Sequence, residues 1–280
     1  MEHRAEAAAQ GVSTHRSTEK GRIRNDRTPA QGDEALILTT ARFYVDSAAL
    51  LEGQLILEGA DHHHLSRVLR MHDGQFLQLM DGKGAIARGK ILEISRACTS
   101  VMVEEVRLVE EERPLLKLFQ ALPQGRKMDS VVQWSAELGA AVVTPFACSR
   151  SHVLDVSVEK RFERWCRIAM ESSRVAGRPY LPEISKARGW DEVLYELADV
   201  EVVLVADEVG GARPHDALGD AMVPEAVGLV IGPEGGFTQV EREDLLAGGA
   251  LPVSLGDTVL RTETAGMVLM AAVRCRYGLL

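Results

Sequence analysis

Two hydrophobic rhythms follow one another along the chain. Between residues 41 and 112, short apolar-polar alternations are separated by turn formers. The stretches 42–45, 53–57, 75–80, 85–94 and 100–109 carry the β-branched and aromatic residues of half-buried strands. Asp81-Gly82 and Gly84 predict a hairpin, and one short helix fits 61–69. This pattern predicts a small β-barrel over residues 39–112, with 110–114 as a linker. From Leu115 the rhythm changes. Near-continuous apolar runs at 115–122, 141–146, 201–206 and 228–231 alternate with segments of helical period. One such segment carries Met128, Val131, Val132 and Leu138, another Phe162, Trp165, Cys166 and Ala169. That alternation predicts an α/β fold with a mostly parallel sheet over residues 113–280.

Two loops near the C-terminal end interrupt the pattern with unusual chemistry. Gly232-Pro233-Glu234-Gly235-Gly236 follows the apolar run 228–231, and its glycines let the backbone turn sharply and approach a ligand. Thr238 and Glu241 then form a capping-box pair, and Gly248-Gly249 ends the helix they start. The spacing is neither a dinucleotide fingerprint nor a P-loop. The second loop runs from Leu255-Gly256 to Leu260-Arg261-Thr262-Glu263-Thr264-Ala265 and enters a helix that is apolar nearly all round. Arg261 and Glu263 at its start should face each other, a ligand or a cleft, because charged groups are rarely buried unpaired. Two such loops at the carboxyl ends of strands predict one small-molecule site.

Together, Ile231-Gly232-Pro233-Glu234-Gly235-Gly236 and Leu255-Gly256 through Leu260-Arg261-Thr262-Glu263-Thr264-Ala265 resemble the RsmE family. Members of that family are SPOUT-class methyltransferases that modify uridine N3 in small-subunit (16S) ribosomal RNA, using S-adenosyl-L-methionine. The resemblance spans about residues 40–280. It implies a PUA-like RNA-binding β-barrel, followed by an α/β SPOUT domain whose last strand, loop and helix form a trefoil knot. It places the cofactor against Ile231, Gly232, Pro233, Glu234, Gly235, Gly236, Leu255, Gly256, Leu260, Thr264 and Ala265. It also implies a homodimer, paired through an apolar last helix that carries Met267, Val268, Met270, Ala271 and Val273.

Charge sharpens this picture. The chain of 280 residues has a formal net charge of −9, yet residues 113–188 carry 13 Lys and Arg against 7 Asp and Glu. Residues 189–280 carry 5 against 16. An acidic protein thus keeps one segment suited to phosphates. Arg126, Lys127, Arg150, Arg174, Arg178, Lys186 and Arg188 are its RNA candidates, while Arg161, Arg164 and Arg167 read as the outer face of a helix. Arg67 and Arg70 are spaced for one helical face and match the family's N-terminal signature. Two positions depart from the family on the expected RNA face: Trp134 replaces a usual lysine, and Arg174-Val175 a glutamate-glutamine pair. Residues 1–38 hold six basic and six acidic side chains and no aromatic residue, the composition of a disordered extension. Arg22, Arg24 and Arg27 lie within it.

Four scattered cysteines read as reduced core residues, and no run reaches membrane-spanning length, so a soluble, cytoplasmic protein is expected. His62-His63-His64 point in different directions on a helix, so no metal site is expected. For the chemistry, Arg261 is the candidate to stabilise charge on the uracil oxygens. Glu263 or Glu234 is the candidate proton acceptor. Ribose 2′-O-methylation and a non-catalytic ribosome assembly factor are the competing readings.

Overall fold

The computed structural model describes residues 41–151, 156–219 and 222–280; the expectations for residues 1–38 lie outside them. The first sheet is built from β1 (Arg42–Tyr44), β2 (Gln54–Glu58), β3 (Phe76–Met80), β4 (Ala85–Ile94) and β5 (Cys98–Leu108), in the order β1-β3-β4-β5-β2. All its pairs are antiparallel except β1 with β3. Alternation places Phe43, Leu55, Leu57, Leu77, Leu79, Ile91 and Val101 in one core. Residues of both edge strands share that core, so the sheet curls around it. Register shifts in β4 and β5 at Ala87/Arg88 and Ile91/Glu93 supply the bend. Helix α1 (Gly59–His63) passes into a π-helical turn (His64–Val68) and adds Leu65 to the core.

The second sheet is wholly parallel. Its strands are β6 (Leu115–Ala121), β7 (Ala140–Phe146), β8 (Glu183–Ile184), β9 (Val202–Ala206), β10 (Ala226–Ile231) and β11 (Leu251–Val253), in the order β11-β9-β10-β6-β7-β8. Both faces are buried, which is why these strands read as apolar runs. Leu116, Leu118, Leu204, Leu229 and Ile231 face α2 (Lys127–Glu137), α3 (Val156–Ala176) and α7 (Thr262–Arg276). Phe119, Val203, Val205 and Val230 face α4 (Trp190–Ala198) and α6 (Gln239–Ala247). A short α5 (Pro214–Leu218) packs beside α7. After β11, at the sheet edge beyond β9, α7 returns beneath β10 and β6.

The departure at Arg174 does not face outward. Its side chain is 17% exposed, bonds Glu171 at 2.6 Å and lies 6.0 Å from the centre of the Phe43 ring in β1. Arg42 of the same strand donates to the Val175 carbonyl at 3.0 Å. Arg174 thus joins α3 to the first sheet as a packing contact, whereas Val175 is 66% exposed. Trp134 is 37% exposed.

Candidate functional site

At the carboxyl ends of β9, β10 and β11 lies a cleft of about 460 Å³. Ligands of open α/β sheets bind at such strand ends. Both sequence-predicted loops line it: Ile231, Gly232, Pro233, Glu234 and Gly236 on one side, Leu255, Gly256, Leu260, Arg261 and Ala265 on the other. Gly236 has φ +65°, a conformation that favours glycine, and a Cβ on Gly232 would stand 3.2 Å from the Phe237 ring. The turn is therefore compact, and its main chain forms much of the wall.

Predicted residues Gly235, Glu263 and Thr264 do not line the cleft. Gly235 turns outward, where its carbonyl accepts from Arg150 Nη1 at 2.9 Å. The same guanidinium reaches the Phe237 carbonyl at 3.3 Å. Arg150 thus braces the glycine turn. The helix that follows is capped as the sequence predicts: Glu241 N–H donates to Thr238 Oγ1 at 3.3 Å, and Thr238 N–H donates to Glu241 Oε2 at 2.8 Å. Glu241 is buried and also accepts from Ser149 N at 2.7 Å. Burial alone would raise its carboxyl; the hydrogen bonds from Ser149 and Thr238 outweigh that and hold it below the ordinary range.

A second set of contacts ties the two loops together. Gln120 of β6 donates to Thr262 Oγ1 at 2.8 Å, and Thr262 donates to the Gly232 carbonyl at 2.5 Å. Both side chains are buried. Gln120 was not predicted, and nothing in its local sequence marks it. Thr262→Val keeps the shape but leaves the Gly232 carbonyl without this donor. It is expected to lower stability by about 1–3 kcal/mol, read from the urea midpoint.

The charged groups gather at one end. Lys127, at the start of α2, donates to Glu234 Oε1 at 2.6 Å and stands 3.9 Å from Glu263 Oε2. The bond to Glu234 raises the Lys127 ammonium above its usual range. Burial would raise Glu234, but the bonds from Lys127 and from the main chain of Glu234 and Gln124 hold it below the usual carboxylate range. Of the places expected for these two charges, Arg261 takes the cleft, while Glu263 faces Lys127 and its buried Oε2 has no hydrogen-bond partner. Arg261 is exposed at the N-cap of α7, where the backbone is still extended (φ −67°, ψ 150°). On the far wall Asp207 holds Arg242 at 2.6 Å, and Glu208 reaches the cleft beside Gly236. Neither acid was predicted.

The remaining RNA candidates are scattered. Arg178 is held by Glu112 at 3.1 Å, and its own carbonyl accepts from the Tyr44 hydroxyl at 2.6 Å. Arg126 pairs with Asp129 at 3.4 Å. Arg67 and Arg70 are exposed but do not share a helical face. The π-helical turn breaks the α-helical spacing, and Arg70 lies beyond the helix at φ 52°. His62 is buried against Thr99, and no metal-holding cluster of His, Cys, Asp and Glu occurs among the described residues. Among those residues no helix is long and apolar enough to cross a membrane.

The α/β sheet with this cleft at its strand ends matches the RNA methyltransferase domain family over residues 110–274. The RNA methyltransferase PUA domain matches residues 57–97. The chain is therefore an RNA methyltransferase, of the α/β SPOUT type preceded by a PUA-like domain. It is 30% identical to the ribosomal RNA small subunit methyltransferase E of Bacillus subtilis (strain 168), over 80% of this chain and 91% of that one. The Mycobacterium tuberculosis protein of the same name is also 30% identical, over 82% and 90%. A crystal structure of the Neisseria gonorrhoeae protein of that name, bound to S-adenosyl methionine, aligns with TM-score 0.75 at 28% identity, over 85% of this chain and 98% of that one. A putative methyltransferase from Legionella pneumophila with bound cofactor SAM aligns with TM-score 0.73 at 30% identity, over the same shares. The chain belongs to the ribosomal RNA small subunit methyltransferase E family.

Proposed function

We propose that this protein methylates N3 of a uridine in small-subunit ribosomal RNA, with S-adenosyl-L-methionine bound in the cleft. The observation that carries the reading is the convergence of the glycine turn and the Leu255–Ala265 loop on one cleft, in a chain of this family. The cleft suits the cofactor: glycines 232, 236 and 256 leave main-chain groups on its walls. When bound, the cofactor supplies a methyl group activated on a sulfonium. The chain's own residues must position the base, take the N3 proton and hold the resulting charge. Arg261 is assigned to the uracil oxygens, because it lies in the cleft and no ion pair holds it among the described residues. Glu263 or Glu234 is assigned the proton: Glu234 lines the cleft and is held below the usual carboxylate range by Lys127, while Glu263 lies behind the lining with Lys127 3.9 Å from its Oε2.

Nucleoside analysis of ribosomal RNA from a strain lacking the protein is expected to show loss of one N3-methyluridine from the small subunit, restored by the wild-type gene. Loss of a ribose 2′-O-methyl group would replace the reading with ribose methylation. No lost methyl would favour an assembly factor. The assembled small subunit, or a large RNA fragment, is the expected substrate, because base readout in RNA relies on unstacked, displayed nucleotides. The protein is then expected to work in the cytoplasm.

A homodimer is proposed as well. Met270 and Val273 of α7 are buried in the chain's own core, but Val268 on the same helix is 38% exposed and Val259, just before it, 76%. Light scattering is expected to give twice the 30.6 kDa chain mass. A single-chain mass at all working concentrations would refute it.

A further inference from the structure

One lysine bridges acids from the two loops that form the cleft. Lys127, the first residue of α2, donates to Glu234 Oε1 at 2.6 Å and stands 3.9 Å from Glu263 Oε2. Glu234 belongs to the glycine turn, and Glu263 to the first turn of α7. We propose that Lys127 is the positioning residue of the proton transfer: it holds Glu234 as the acceptor and passes to Glu263 once Glu234 is protonated. The inference rests on the uridine-N3 reading above and divides the two acids between two roles.

Glu234 is the acid fixed at the wall. It lines the cleft together with Lys127, whereas Glu263 lies behind the lining. The main-chain N–H of Gln124 donates to the same Glu234 oxygen as the lysine, at 3.1 Å. Two donors on Oε1 leave the carboxylate little freedom to turn, and the lysine's bond is of the charge-assisted, stronger kind. Lys127 itself is placed against the field. It opens a helix, where the dipole disfavours a cation, and Arg261 stands near enough to oppose its charge. Glu234 and Glu263 are the groups that offset both.

Glu263 is the independent observation. Its side chain is 12% exposed, and among the described residues its Oε2 has no hydrogen-bond partner. A buried acceptor without a donor is costly, and an ammonium has three N–H groups to give. A movement of about 1 Å would bring Lys127 within the range of a charge-assisted bond to it. In the step itself the uracil N3–H bond breaks, the proton passes to the Glu234 carboxylate, and the electron pair stays on N3. Glu234 then no longer carries the charge that held Lys127. The ammonium turns to Glu263, and one ion pair is kept throughout.

The test uses the full-length protein, S-adenosyl-L-methionine and small ribosomal subunits from a strain lacking the protein. Single-turnover methylation is followed across pH for wild type, Lys127→Met, Lys127→Arg and Glu263→Gln. Burial raises the Glu234 carboxyl, and the Lys127 bond is the largest influence against it. Lys127→Met is therefore expected to move the acidic limb of the rate to higher pH, and to lower the plateau about 10²-fold through a misplaced acceptor. Lys127→Arg, which keeps the charge, should return the limb toward its wild-type position. Glu263→Gln should lower the plateau about tenfold, the loss of one charged hydrogen bond, with the limb in place. A carbon-13 titration of Glu234 in the cofactor-free protein should show the same upward shift in Lys127→Met. If Lys127→Met fails to fold, Glu263→Gln decides: a wild-type plateau there overturns the transfer of the lysine. An unmoved limb in folded Lys127→Met, with the slope of log affinity against log salt reduced by about 0.7, would make Lys127 a phosphate contact and overturn the proposal. Limbs that all coincide with wild type also overturn it, and leave the uridine-N3 reading standing. A wild-type protein that leaves N3 unmethylated at every pH overturns that reading itself.

Discussion

Arg261→Lys is expected to lower the single-turnover methylation rate by about 10²–10³, with cofactor affinity and melting temperature close to wild type. The charge survives this substitution; the planar fork does not. A lysine ammonium cannot hold two points on a developing uracil anion in the fixed geometry that a guanidinium allows. The structure also removes the main structural explanation for this arginine. Glu263, the partner that a buried pair would need, is turned to Lys127 at 3.9 Å. Arg261 itself is exposed at the N-cap of α7, where a cation meets the positive end of the helix dipole. It also stands near enough to Lys127 to oppose that ammonium's charge. Among the described residues no ion pair holds it, so its position makes sense when an anion occupies the cleft. Rate and melting temperature measured on one preparation decide the matter. An unchanged rate with a lowered melting point would take Arg261 off the catalytic assignment and make it a structural residue.

The residues at this site divide into those that local sequence exposes and those that only the fold assembles. The glycine turn, the Leu255-Gly256 loop and the Thr238–Glu241 cap are each contiguous, so turn chemistry and capping rules find them. The strands are legible because a sheet buried on both faces writes apolar runs into the chain. The two-residue β8 is too short for any period to register, and the nine-residue α4 is marginal. Lys127 and Glu234 lie 107 residues apart, Glu241 and Ser149 92, and Gln120 and Thr262 142. These pairs exist because parallel strands bring distant carboxyl ends side by side, a juxtaposition that no window of sequence contains. Sequence alone left Arg261 and Glu263 to face each other, a ligand or a cleft, and the fold puts Arg261 on the cleft and Glu263 beside Lys127. Arg178 shows another limit, since a basic residue in a basic segment proved to be tied to an acid from another part of the chain.

That acid is Glu112, and its removal is expected to have the largest effect on stability. One of its oxygens accepts from Arg274 at 2.9 Å and from Arg178 at 3.1 Å. Arg274 also donates to the Leu279 carbonyl at 2.7 Å. The network therefore joins the stretch between the two sheets to α7, which begins at the cleft, and to the segment after α3. Arg274 is only 5% exposed at its side chain, so Glu112→Ala leaves a buried cation without its anion. Removing one partner of a buried pair costs about 3–5 kcal/mol, and the 30% exposure of Glu112 puts the expectation at about 3 kcal/mol. Arg274→Met added to Glu112→Ala should recover part of that loss, because the stranded charge goes with it. The pH dependence has a definite sign. Burial would raise the Glu112 carboxyl, but the hydrogen bonds and charges of Arg274 and Arg178 outweigh it and hold it below its ordinary value of 4.5. A group depressed in the folded state contributes its full stability above the unfolded value and loses it as pH falls through the folded one. The gap in stability between wild type and Glu112→Ala should thus be constant near neutral pH and narrow below about pH 4.5. Urea melts of both proteins across that range test it. A gap that stays the same at low pH would mean that packing, and not the ionised carboxylate, is what Glu112 contributes.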